Sequence, residues 1–172
     1  RNAQRYKHLE VHEANRVYRS AWLEADAMAE VVQTHGLRTV VNLCNPGEMG
    51  DERWEAERKA VTGAGAKLVE LPMPLEIQPN DPRVTPLVQV LQDPESYPLL
   101  VHCQHGVTRT AKFLLLYDVL VKNQDADASL SAMPLFGRNR QNVHVRAFSR
   151  NLQADREKVL KTAAEPAESK LH

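Results

Sequence analysis

Four short runs, five to seven residues each, alternate along this chain with segments long enough for helices. The runs are "RVYRS" (16–20), "LRTVVNL" (37–43), "KLVELPM" (67–73) and "YPLLVH" (97–102). Between the first two, Leu23, Ala27, Val31 and His35 recur every four residues, a helical stripe, and Gly36 is placed to stop it. "DERWEAERKAVTGAG" (51–65) and "PRVTPLVQVLQD" (82–93) fill the next two intervals, the latter with Pro86 in about its first turn. Three more helical segments follow the last run, at 109–123, 125–133 and 142–162. Strand-length runs that alternate with helices predict an α/β domain, its central sheet largely parallel and flanked by helices.

That order also says where a site belongs. In an open α/β sheet, ligands bind beyond the carboxyl ends of the strands. Cys103 comes directly after "YPLLVH" and just before the 109–123 helix.

The 172 residues suffice for one domain with a core, expected over 16–162. A polar, flexible arm is expected at 1–15 and a frayed tail at 163–172. Lys plus Arg equals Asp plus Glu at 22 each, so overall charge gives no argument for nucleic acid. No apolar run reaches the roughly 18 residues of a membrane span. Two cysteines form no disulfide scaffold and suit a reducing, cytoplasmic setting. The first residue is Arg rather than Met, as in a trimmed chain.

The stretch "LVHCQHGVTRTAK" (100–112) carries the chemistry. A short loop between a strand and a helix can turn successive backbone N–H groups inward. Such a nest, at a helix N-terminus, binds a tetrahedral oxyanion. Gln104, His105, Gly106, Val107, Thr108 and Arg109 are the phosphate-binding candidates. Gly106 allows a tight turn, and Arg109 offers a two-pronged fork. Cys103 then stands at the floor as a nucleophile, and thiols in such places ionise readily. Thr110 can donate to the sulfur when the thiolate leaves.

"HCQHGVTRT" resembles the signature HCxxGxxR, followed by Ser or Thr, of the cysteine-dependent protein tyrosine phosphatase superfamily. "RVYRSA" and "GLRTVVNL" resemble the small atypical dual-specificity phosphatases, and the resemblance spans roughly 16–155. It implies a dual-specificity phosphatase-like fold and a phosphocysteine intermediate on Cys103. Phosphate would be held by the 104–109 backbone and Arg109, with Thr110 assisting the thiolate. It implies no metal and no organic cofactor. The substrate would be a phosphotyrosine or phosphoserine protein, a phosphoinositide or an inositol phosphate. Members that favour inositol pyrophosphates carry lysines in this loop, and "QHGVT" has none. "NLC" at 42–44 is similar to a stretch of the tensin-homolog lipid phosphatases whose cysteine pairs with the nucleophile under oxidation. That resemblance makes Cys44 a redox partner for Cys103 and sets this role beside simple burial of a small thiol.

The general acid is less plainly written. The family places an Asp in a loop before the catalytic strand. Here "PLEIQPND" (74–81) offers Glu76 as the candidate and Asp81 as the alternative. Asp81 precedes Pro82 and a helix, which also suits a helix cap. His102 is read as ordering the loop, and His105 as sitting on its rim. Arg138, Arg140, His144, Arg146 and Arg150 form either a solvated helix face or a basic wall for a polyanion. Two readings compete with an active phosphatase. One is a catalytically weak phosphate-binding module that recognises a phosphorylated partner. The other is a rhodanese-like sulfurtransferase, which Gly106, Arg109 and Thr110 fit less well.

Overall fold

A computed structural model describes residues 2–134, 136–137 and 143–165. The four expected runs are strands: β2 (Val17–Ser20), β3 (Thr39–Asn42), β4 (Lys67–Glu70) and β5 (Leu99–His102). A fifth, β1 (Glu10–Glu13), follows a short helix α1 (Asn2–Arg5) in the segment expected to be a flexible arm. It pairs antiparallel with β2, and all other pairings are parallel, in the order β1-β2-β5-β3-β4. The arm therefore adds an edge strand to the sheet, and charged Glu10 and Glu13 keep that edge polar. The tail beyond residue 165 lies outside the described residues.

Side chains of the parallel strands alternate between two apolar layers, as a sheet covered on both faces requires. Tyr18, Val40 and Leu100 pack with Met28, Val31 and Val32 of α2 (Ala25–His35) and with Val61 of α3 (Asp51–Gly63). Val17, Val41, Leu99 and Val101 face the other layer. There they meet α4 (Val84–Gln92), α5 (Thr108–Leu116), α7 (Val143–Ala154) and α8 (Arg156–Ala164). The predicted stripe on α2 holds, with Ala27 and Val31 buried and His35 against the Tyr18 ring. Gly36 ends it at φ 57, its N–H bonded back into the last turn.

Two of the expected helices are broken. The 109–123 segment is α-helical only to Leu116; Tyr117–Val121 widen into a π turn. The arrangement places buried Asp118 against Ser129 of α6 (Ala126–Ala132) and against His12 of β1. The 142–162 segment splits at Asp155 into α7 and α8. Among the described residues no helix is long and apolar enough to cross a membrane.

Candidate active site

β5 is the central strand, flanked by β2 and β3 with Ser20, His102 and Asn42 in register. All three end at one edge, and the loop of residues 103–107 rises from it into α5. Gly106 takes φ +71 against the backbone of β2; a Cβ there would meet Ser20 O at 2.5 Å and Ala21 N at 2.6 Å. No other residue fits both that φ and that contact.

Cys103 is buried under this loop, 2% exposed, its Sγ 3.1 Å from Thr110 Oγ1. Gln104 and His105 are exposed on the rim, while Gly106 and Val107 are buried. His102 is fully buried with Glu57 of α3, Nε2 to Oε2 2.6 Å. Glu57 Oε1 accepts from Asn42 Nδ2, and Asn42 Oδ1 accepts from the Cys44 N–H. One carboxylate thus ties the ends of β3 and β5 together. The His102 and Glu57 side chains are 0% and 2% exposed, as suits a structural tie.

Arg109 reaches from the first turn of α5 to Glu48, in the turn between β3 and α3. Its Nη1 and Nη2 donate to Glu48 Oε1 and Oε2 at 2.6 and 2.9 Å. The Asn45 N–H also donates to Glu48, and the Trp54 indole N–H donates to the Glu48 carbonyl. The Arg109 fork pulls the Glu48 pKa down to about 2. Glu48 takes the Nη1/Nη2 end of the guanidinium, leaving its Nε–H edge for two oxygens of an anion. A cation beside a Pro-Gly turn at the sheet edge needs a counter-charge, and that is the signal that could have found Glu48.

Cys44 follows β3 as expected, and β3 pairs directly with β5. Both cysteines are buried and free. Burial pushes the Cys44 thiol well up, with Glu48 adding to the effect.

The two acid candidates separate. Asp81 is engaged: Oδ1 accepts from the Arg83 N–H at 2.9 Å, and both oxygens pair with the Arg83 guanidinium. Its carbonyl accepts from the Val84 N–H, so it caps the turn leading into α4. The Arg83 hydrogen bonds hold its pKa below the usual range, the wrong direction for a proton donor. Glu76 is exposed, with His144 Nε2 3.7 Å from its carboxylate. Its loop is fastened by Lys112, buried in α5, whose Nζ donates to Leu75 O and Ile77 O at 2.5 and 3.1 Å. Burial draws the Lys112 pKa to about 8, and Glu76 opposes that. Of the expected basic wall, His144 is the member beside Glu76. Arg146 and Arg150 line a hollow with Asp127, Leu130, Ser131 and Ser149, and Arg138 and Arg140 lie outside the described residues.

A thiol below a strand-to-helix loop, with an Arg in the first turn of the helix that follows, is the arrangement that the resemblance to the dual-specificity phosphatases implies. The chain belongs to a family of that type: residues 2–157 match the one described as DSP-PTPase phosphatase fused to NAD+ kinase. It is 30% identical over 118 residues to the dual specificity protein phosphatase TpbA of Pseudomonas aeruginosa strain UCBPP-PA14. That match covers 68% of this chain and 49% of TpbA, so the chain spans about half the length of the curated relative. The fold is shared with the crystal structure of P. aeruginosa TpbA in complex with pTyr, at TM-score 0.68 and 22% identity. The superposition covers 94% of this chain and 98% of that one. The core catalytic domain of the PP-IP phosphatase Siw14 from S. cerevisiae, in complex with citrate, gives TM-score 0.66 at 19% identity. It covers 91% of this chain and 92% of the other.

Proposed function

We propose that this chain hydrolyses phosphomonoesters through a phosphocysteine on Cys103. The observation that carries the reading is the Cys103 Sγ under the loop with the Thr110 hydroxyl 3.1 Å away. The backbone of 104–109 and the Nε edge of Arg109 bind the phosphate. The Cys103 thiolate attacks phosphorus, and the bond to the leaving oxygen breaks as Glu76 gives that oxygen its proton. Water then attacks phosphorus, Glu76 takes the water's proton, and the phosphorus–sulfur bond breaks to release inorganic phosphate. Thr110 donates a hydrogen bond to the thiolate as it departs.

The substrate in this reading is a phosphorylated protein or a small phosphorylated ligand. A loop without lysine favours a single phosphomonoester, such as the phosphotyrosine held by TpbA, over a polyphosphate. A reducing, cytoplasmic setting would keep Cys103 in its thiol form. Steady-state hydrolysis of an aryl phosphate should be vanadate-sensitive, and a panel of phosphopeptides and inositol phosphates ranks the substrates. With a poor leaving group, Glu76→Gln should lower kcat by about 10²–10⁴-fold, and much less with a good aryl leaving group. Asp81→Asn should cost about 1 kcal/mol or less in stability and leave kcat alone. The opposite pattern moves the acid role to Asp81.

Cys44 enters the proposal as a resolving thiol. Peroxide converts the Cys103 thiolate to a sulfenic acid; attack by Cys44 forms the disulfide and releases water. The high Cys44 pKa makes closure slow at neutral pH and faster as pH rises, because the thiolate attacks. After mild peroxide and then reductant, wild type should recover activity and Cys44→Ser should not. Equal recovery leaves Cys44 as a packing residue.

A further inference from the structure

Three consecutive carbonyl oxygens of the phosphate loop are occupied by donors from one stretch of chain, residues 8 to 22. The Trp22 N–H donates to Gln104 O at 3.1 Å. His8 Nδ1 lies 2.7 Å from His105 O; a carbonyl can only accept, so this nitrogen carries the proton. Arg19 Nη2 donates to Gly106 O at 2.8 Å. In a planar trans peptide the C=O and N–H point opposite ways. Carbonyls held outward at 104, 105 and 106 therefore turn the amides of His105, Gly106 and Val107 to the other side, where the nest needs them.

Arg19 is the unusual member. It is 0% exposed, and its Nε and Nη1 have no hydrogen-bond partner among the described residues. Burial draws its pKa to about 10, opposed by the charges of Cys103 and Glu10, so it stays cationic at neutral pH. Its guanidinium lies 5.2 Å from the centre of the Phe136 ring, against which His8 also stacks at 3.9 Å. A buried, half-satisfied guanidinium is a poor way to stabilise a fold. An apolar residue of similar volume would pack without the desolvation cost.

We propose that Arg19 and His8 are positioning residues, which pin the loop carbonyls outward so that the amides of 105–107 converge on the phosphate. This rests on the phosphatase reading above. The test measures vanadate inhibition, kcat and KM on an aryl phosphate for wild type, Arg19→Met, Arg19→Lys and His8→Phe. Melting temperature and the alkylatable fraction of Cys103 are recorded alongside. Arg19→Met should weaken vanadate inhibition about tenfold or more, with kcat/KM falling in parallel and mostly through kcat. Arg19→Lys, which keeps one donor, should recover part of the loss. His8→Phe keeps the stacked ring, loses the donor, and should weaken vanadate inhibition by about fivefold.

A residue that only stabilised the fold would lower the melting temperature and the active fraction. It would leave the vanadate constant of the folded fraction unchanged, and that result overturns the proposal. If Arg19→Met does not fold, His8→Phe decides alone, and an unchanged vanadate constant there overturns it equally. Wild type without vanadate-sensitive turnover would sink the phosphatase reading instead. The pins would then be judged by calorimetric binding of inorganic phosphate to the same variants, unchanged affinity counting against them.

Discussion

Cys103→Ser is expected to abolish turnover while the protein still binds inorganic phosphate. The hydroxyl is a far weaker nucleophile than a thiolate. Phosphate binding should survive because its proposed donors are elsewhere, in the loop amides and on Arg109. The serine is nearly the same shape, and Thr110 remains 3.1 Å from that position as a hydrogen-bond partner. The melting temperature should therefore stay close to wild type. Calorimetry with phosphate and a rate assay on one preparation check both halves.

Arg109→Lys should lose binding and catalysis together. Lysine offers a point charge in place of a planar fork, one end of which is held by Glu48 while the other edge is the one proposed to take phosphate. The lost fork should lower kcat/KM by about 10²–10³-fold, as removal of a single preorganised oxyanion donor does. Glu48→Gln should give a smaller loss, since Gln can orient only one guanidinium nitrogen and carries no charge. The pH dependence has a definite sign. The folded pKa of Glu48, about 2, lies below its ordinary 4.5. The stabilisation from the ion pair is present above about 4.5 and is lost as pH falls toward about 2. Stabilities of wild type and Glu48→Gln should therefore converge in acid, as denaturant midpoints measured down the pH scale would show.

The parallel part of the sheet was legible because β2, β3, β4 and β5 are short apolar runs set between helical segments. β1 was not. "EVHE" buries no apolar stripe and exists as a strand only through its pairing with β2. The break at Asp155 was hidden too, because the apolar period runs on through it. At the site, Cys103, Arg109 and Gly106 stand out since spacing alone gives them a joint purpose. Glu48, Arg19 and His8 do not, because each acts on the site from a distant stretch of sequence, and Lys112, though inside the 100–112 stretch, has its partners in the distant 75–77 loop. Glu48 sits in a turn, Arg19 in a strand and His8 in a polar arm, and only the sheet order brings them to one edge. The acid candidates show the same limit in part: Asp81 before Pro82 already suits a helix cap in the sequence, but its ion pair with Arg83 is visible only in the structure.

Rapid quenching tests the covalent step on Cys103. Wild type is mixed with an aryl phosphate labelled on phosphorus, quenched within a turnover and digested. Acid-quenched label is expected on the peptide containing Cys103, accumulating as a burst with a good leaving group and absent in Cys103→Ser. Turnover without label on that peptide, or label on another residue, would contradict it.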